Sequence, residues 1–173
     1  LKSLVLKHKP DVIVHSGAIT PMSYSFTMPR IFQDVNYLAT INLIDAALLL
    51  PNLQKFIYAS SAEVYGWQST REPFSENLQL NPISPYAVSK AAAETYVKMA
   101  GIAFGLPHII LRPANTYGRK NEAGWVIEYI ISQMLRNKNV NLGTPNAVRD
   151  FLYVYDHVNA YLKGLELNLR EKD

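Results

Sequence analysis

The sequence predicts an α/β chain built on a doubly wound parallel sheet. Two observations carry this expectation. Short apolar runs without polar alternation recur at residues 11–15, 54–59 and 107–111, the pattern of strands buried on both faces. Each run is separated from the next by a segment of helical periodicity, and strand, helix, strand, helix is the order that right-handed crossovers impose on a parallel sheet. The composition agrees: 49% of the 173 residues are hydrophobic and 18% charged, enough apolar material for a core.

Residues 1–8 read as the end of an amphipathic helix feeding the first strand, 11–15 (DVIVH), which follows Pro10. A loop marked by Gly and Pro runs to Pro29. Residues 31–50 carry Ile31, Val35, Leu38, Ile41, Ile44, Ala47 and Leu48 at helical spacing, and Pro51-Asn52 stops that helix. The second strand is 54–59 (QKFIYA). Residues 67–85, with Pro73, Pro82 and Pro85, form a loop longer than about 12–15 residues, a length typical of functional loops. An Ala-rich helix spans 86–104, and Gly105 supplies its left-handed stop. The third strand is 107–111 (PHIIL). After a loop to Ala123 come a helix at 124–136, a short strand at 139–142 and a Gly-Thr-Pro-Asn turn. An extended 151–154 and a helix at 155–167 complete the order. There are no internal repeats and no low-complexity tracts.

Composition also narrows the chemistry. The chain has no cysteine, which excludes disulfides, thiolate catalysis and Cys-based metal sites. The formal charge of +3 is scattered, so it marks no nucleic-acid surface. No apolar stretch reaches the roughly 18–20 residues that cross a bilayer, and nothing at the start resembles a signal peptide, so a soluble cytoplasmic protein without a membrane partner is expected. The four histidines show no metal-ligand spacing, and no metal is expected. The chain begins at Leu1 with a helix that lacks its own start, and is expected to be an internal piece of a longer protein.

In a doubly wound sheet ligands sit beyond the carboxyl ends of the strands, so the residues to weigh follow His15, Ala59 and Leu111. Beyond the second strand stands Ser60-Ser61-Ala62-Glu63-Val64-Tyr65-Gly66, a cluster of hydroxyls and a carboxylate. Twenty-five residues after Ser61, Tyr86 opens the next helix, with Lys90 one turn on along the same face. A free phenol titrates near pH 10. A neighbouring ammonium favours the phenolate, and a downward shift of about 3 units would make Tyr86 a base at neutral pH. With eleven tyrosines and ten lysines, chance supplies about 0.6 pairs at this spacing, so the pair alone describes an ordinary helix face. Its conjunction with Ser61 gives it weight. Arg119-Lys120 reads as a solvated pair in preference to a substrate contact, and Asp156 as a helix cap.

Six motifs in one order resemble the extended short-chain dehydrogenase/reductase family, the NAD-dependent epimerases and dehydratases of nucleotide sugars. They are His15-Ser16-Gly17-Ala18; Asn36 with Ala39-Thr40; Ser60 to Gly66; Ser84-Pro85-Tyr86 with Lys90; Leu111-Arg112-Pro113-Ala114-Asn115 with Tyr117-Gly118; and Arg149-Asp150-Phe151 with Val154 and Asp156. The resemblance implies a Rossmann-like sheet over residues 1–118 and, over 119–173, the start of a small substrate-binding lobe that returns to the sheet. It implies NAD as cofactor, a nucleotide sugar as substrate and a homodimer formed through the helices that begin at Ile31 and Tyr86. It makes Tyr86 the general base, Lys90 the group that lowers its pKa and binds the nicotinamide ribose, and Ser61 a partner of the sugar oxygen being oxidised. Ser16, Gly17, Ala18, Asn36, Ser60 and Pro113 would border the cofactor. Asn115 and Arg149 would bind substrate, the guanidinium suiting a nucleotide phosphate. Two departures stand out: Ala39 replaces the family's usual glycine, and the Gly-rich phosphate turn and its downstream acidic partner are absent from this sequence.

The resemblance also frames the reaction. Oxidation at sugar C4 is the shared first step; a 4-epimerase then returns hydride to the other face, whereas a 4,6-dehydratase needs a carboxylate to remove the C5 proton. Glu63 stands where the resembling dehydratases place their catalytic glutamate, which favours dehydration. Ala62 stands where the dTDP-glucose type carries an aspartate, and Leu142-Gly143 with Arg149-Asp150 leans toward the GDP-mannose type. The less favoured alternative is that Glu63 caps a turn or pairs with a lysine. A 4-epimerase, a UDP-glucuronate decarboxylase and a non-catalytic binding module of the same fold stay as alternatives, in that order.

Overall fold

The computed structural model describes residues 1–69, 72–118, 124–144 and 146–169; Arg119-Lys120 lies outside the described residues. The chain divides into two compact units. One is Leu1–Arg112 with the described residues from Gly164 onward, and the other is Pro113–Lys163.

In the first unit, α1 (Lys2–His8) leads into β1 (Val12–His15). α2 (Met22–Thr27), α3 (Pro29–Phe32), a π-helical segment (Gln33–Leu38) and α4 (Ala39–Ala47) precede β2 (Lys55–Ala59). A 3₁₀ turn (Ala62–Tyr65), α5 (Pro85–Phe104) and β3 (His108–Leu111) follow. The three strands form one parallel sheet in the order β1-β2-β3, with Ile13 beside Phe56 and Phe56 beside His108. This is the α/β parallel sheet expected from the sequence. Because side chains alternate along a strand, Phe56 and Tyr58 face α4 and α5, where they join Leu43, Ile44, Ala47, Ala93, Val97 and Ala100. Ile57 points the other way, under Gly164 and beside Ile109; a Cβ on Gly164 would lie 3.5 Å from Ile57. β2 is therefore buried on both faces. Full burial of Phe56 or Ile57 contributes about 1.5–3 kcal/mol each, and a one-residue slip of register would exchange their two surroundings.

Five local expectations change. Residues 115–117, expected within a loop, form a short strand. Residues 22–27, expected as loop, form α2. The long helix starts at Pro29, which fits the first turn because its missing N–H has no partner there, and it passes through the wider π-helical segment around Asn36. β1 is not buried on both faces: Val14 is 44% exposed, since β1 is the edge strand of this sheet and no described element covers that side. Residues 139–142 are not a strand, because no described strand runs alongside to pair with them.

The second unit holds β4 (Asn115–Tyr117), α6 (Val126–Leu135), β5 (Phe151–Tyr153) and most of α7 (Val154–Glu166). β4 and β5 pair in parallel, Asn115 with Phe151 and Tyr117 with Tyr153, and the two tyrosine rings lie 5.4 Å apart. The Glu128 carboxylate accepts the Gly118 N–H at 2.9 Å, fixing the end of β4 to α6. No described helix is long and apolar enough to cross a membrane.

Candidate active site

The start of α5 is built to hold its orientation. Ser84 caps the helix by accepting the Ala87 N–H at 3.0 Å, Pro85 occupies the first turn, and the Pro85 carbonyl accepts from Gln33 at 3.1 Å. Tyr86 and Lys90 follow one turn apart and both are buried. The Tyr86 ring stands edge-on to Phe32, 6.3 Å between centroids. Its hydroxyl faces that of Ser61, the residue at the end of β2 that the sequence paired with it.

Ser61 has extended backbone and caps the 3₁₀ turn, its hydroxyl oxygen accepting the Glu63 N–H at 3.2 Å. Glu63 is half-buried and close enough for its charge to act on the Tyr86 phenol. Burial pushes the Tyr86 phenol up, the Ser61 hydroxyl opposes this, and Glu63 adds to the rise. The expected lowering by Lys90 does not occur in the chain itself. The Lys90 ammonium donates to the Ala59 carbonyl and lies 4.7 Å from the centre of the Tyr58 ring, and burial pushes it down to about 8. Removal from water outweighs proximity on the helix, so both members of the pair are shifted toward their neutral forms.

Beyond β1, Ser16 and Gly17 are exposed and Ala18 half-buried. Asn36 is buried behind them; its side chain accepts the Ile19 N–H at 2.8 Å, donates to the Ile19 carbonyl at 3.0 Å and donates to Ser89 at 3.0 Å. It thus holds the loop after β1 against α5. Ser60 turns its hydroxyl inward, donating to Glu94 at 2.9 Å. The first unit therefore gathers Ser16, Gly17, Ala18, Asn36, Ser60, Ser61, Glu63, Tyr86 and Lys90 along one sheet edge. Pro113, Asn115 and Arg149 belong to the second unit. There Pro113 and Asn115 are half-buried, while Arg149 is exposed and donates to the Val148 carbonyl at 2.7 Å. Among the described residues no group of three His, Asp or Glu is arranged to hold a metal ion.

Sequence reasoning assigned no role to Glu94, Arg112, His15 or Tyr58. The usable signal for Glu94 was its place one turn after Lys90, a carboxylate on the buried face of an Ala-rich helix. His15 shares a 2.8 Å hydrogen bond with Thr40, which in turn donates to the Asn36 carbonyl at 2.7 Å. The Tyr58 hydroxyl faces Thr40 without a hydrogen bond of good geometry, and burial pushes that phenol up strongly.

Burial first, and then the Lys90 charge, push His15 down to about 4 from 6.5. The folded chain therefore takes up this proton only near pH 4, whereas the unfolded chain takes it up near pH 6.5. Stability contributed by neutral His15 is complete above pH 6.5 and falls by roughly 3 kcal/mol as the pH drops to 4. Urea unfolding at pH 7 and pH 4.5 should show wild type losing roughly 2–3 kcal/mol more than His15→Gln. Equal losses in the two proteins would show that His15 is not the buried neutral group.

Comparison with known proteins follows the same lines. The profile of the NAD dependent epimerase/dehydratase family matches residues 1–172. The chain is 36% identical over 167 residues to the human dTDP-D-glucose 4,6-dehydratase, covering 96% of the chain and 47% of that protein. A solved UDP-glucose 4-epimerase from Thermotoga maritima, in complex with UDP-glucose, superposes with a TM-score of 0.89 at 28% identity, over 95% of this chain and 55% of that one. A UDP-glucuronic acid 4-epimerase from Bacillus cereus, solved with UDP-glucuronic acid and NAD, matches with a TM-score of 0.85 at 30% identity, over 97% and 53% of the two chains. The chain spans about half the length of the curated relatives it matches.

Proposed function

The chain belongs to the NAD-dependent epimerase/dehydratase family, and we propose that it carries the catalytic edge of a nucleotide-sugar 4,6-dehydratase. The observation that carries this reading is the Glu63 carboxylate acting on the same phenol that the Ser61 hydroxyl faces. A site that only oxidises and reduces C4 needs Tyr86 and Ser61; a carboxylate beside them adds the second base that dehydration requires.

The donor set suits the ribosyl nicotinamide of NAD. Lys90 spends one of its three N–H donors on the Ala59 carbonyl, leaving two for a ribose diol. Ser16 and Gly17 present an exposed hydroxyl and backbone over a loop that Asn36 holds in place. These residues, with Ala18 and Tyr86, would hold the cofactor, which when bound accepts the C4 hydride and brings positive charge to the site. Tyr86, as a phenolate supported by a hydrogen bond from Ser61, takes the C4 hydroxyl proton and becomes the neutral phenol. Glu63 removes the C5 proton and gives it to the C6 hydroxyl, which departs as water; return of the hydride to C6 and of a proton to C5 would complete the 4-keto-6-deoxy sugar. Asn115 and Arg149 are the proposed substrate ligands of the second unit. A GDP-hexose is the first substrate to test, and dTDP-glucose, named for the human relative, the next. The same reading includes a homodimer; α5 carries Val88 and Ile102 exposed.

A 4-epimerase is the second reading, favoured by the close superposition on the Thermotoga maritima enzyme. Incubating the complete protein with GDP-, dTDP- and UDP-hexoses and NAD separates the two. A 4-keto-6-deoxy product is expected, reduced about 10²-fold or more in Glu63→Gln. Finding only the C4 epimer, with Glu63→Gln fully active, would sink the dehydratase reading.

A further inference from the structure

Glu94 carries a fully buried carboxylate two turns after Tyr86 and one after Lys90. A carboxylate removed from water is costly unless donors surround it. Ser60 donates to it at 2.9 Å, Arg112 donates through Nε at 3.0 Å and through Nη2 at 2.5 Å, and Lys98 pairs with it at 2.8 Å. Burial alone would push the Glu94 carboxyl up, but these donors hold it below the ordinary carboxylate range.

The donors come from the elements that frame the site. Ser60 lies immediately beyond β2 and its N–H donates to the Leu111 carbonyl at 2.8 Å. Arg112 lies immediately beyond β3, so one carboxylate ties α5 to both strand ends. Arg112 also donates to the Tyr65 hydroxyl at 2.7 Å, two residues past Glu63 on the 3₁₀ turn. Lys98 is half-exposed, so its pairing adds little.

Ser60 and Ser61 are neighbours immediately beyond β2, so holding the Ser60 hydroxyl on Glu94 also fixes the backbone from which the Ser61 side chain leaves toward Tyr86. We propose that Glu94 is a positioning residue: by holding Ser60 and Arg112 it aims the Ser61 hydroxyl at Tyr86 and sets the turn that carries Glu63. This rests on the function proposed above for the same site. It assigns Ser60 to support of the site in place of the cofactor contact that the family resemblance implies.

The test uses Ser60→Ala, Ser60→Thr and Glu94→Gln in the complete protein. Ser60→Ala leaves the Glu94–Arg112 pair intact. It should lower kcat about tenfold with KM for the sugar and Kd for NAD unchanged, and Ser60→Thr, which keeps the hydroxyl, should restore most of the rate. Glu94→Gln should lose more than Ser60→Ala. If that variant fails to fold, the Ser60 pair decides. In protein labelled with 3-fluorotyrosine, the Tyr86 resonance, assigned by its loss in Tyr86→Phe, should move in Ser60→Ala and return in Ser60→Thr. Wild-type kcat in Ser60→Ala with an unmoved Tyr86 resonance would overturn the proposal. So would a raised Kd for NAD with kcat intact at saturating cofactor, which would make Ser60 a cofactor contact. If wild type turns over no nucleotide sugar, the proposed function fails, while the resonance still decides whether Glu94 and Ser60 position the site.

Discussion

Tyr86→Phe is expected to lower kcat by about 10²–10⁴-fold, the usual span for removal of a general acid or base, while KM, NAD affinity and stability change little. Phenylalanine keeps the ring that meets Phe32 edge-on and keeps the helix entry set by Ser84 and Pro85. What it removes is the oxygen that faces Ser61 and feels Glu63. The buried phenol is held above its ordinary value, so the chain alone keeps Tyr86 protonated near neutral pH. Base action therefore depends on what stabilises the phenolate: the Ser61 hydroxyl within the chain, and positive charge that the bound cofactor would bring. Steady-state kinetics on a substrate accepted by wild type measures the loss, and thermal unfolding checks the fold. Unchanged turnover of every nucleotide sugar in Tyr86→Phe would remove Tyr86 from the chemistry.

The largest stability effect is expected at Gly66. This residue ends the 3₁₀ turn with φ 57° and ψ −137°, a conformation essentially reserved for glycine. A Cβ there would fall 1.6 Å from the Asn81 carbonyl oxygen and 2.6 Å from its carbon, and both are backbone atoms that cannot rotate away. The closeness has a purpose in the fold. The Asn81 N–H donates to the Val64 carbonyl at 3.1 Å, its side chain donates to the Trp67 carbonyl at 2.8 Å, and Gln68 reaches both the Tyr65 and Gln79 carbonyls. The long loop is thus fastened at its neck to the turn that bears Glu63. Gly66→Ala should cost on the order of 3 kcal/mol or more and reduce activity with it. Gly105→Ala is the control: that glycine is left-handed with φ 71° but has nothing within 4 Å of its Cβ, so roughly 1–2 kcal/mol is expected. Urea unfolding of both variants measures the difference, and equal small losses would show that the neck can open.

Much of this was legible in the chain itself. The run at β2 is apolar at consecutive positions because both of its faces are covered, and a covered strand needs no alternation. α5 announces itself through Ser84, Pro85, its alanines and Gly105, all of which act within a few residues of where they stand. Ser61, Tyr86 and Lys90 stood out as candidates because they are groups that suit proton transfer, and the strand–loop–helix order brings them to one edge. α2 was missed because six residues offer little periodicity. β4 was missed for a related reason: three residues become a strand only when β5, more than thirty positions away, lies beside them.

What the sequence determined by itself is the parallel α/β architecture and the kind of groups at its edge, since both follow from local pattern and residue type. The tertiary structure alone decided their states. It placed Lys90 on the Ala59 carbonyl and the Tyr58 ring, pushed the Tyr86 phenol up where helical spacing had suggested down, and buried Glu94 among Ser60, Arg112 and Lys98. Desolvation and the company of distant charges set the protonation and aim of a side chain, and both depend on neighbours that folding brings from elsewhere in the chain.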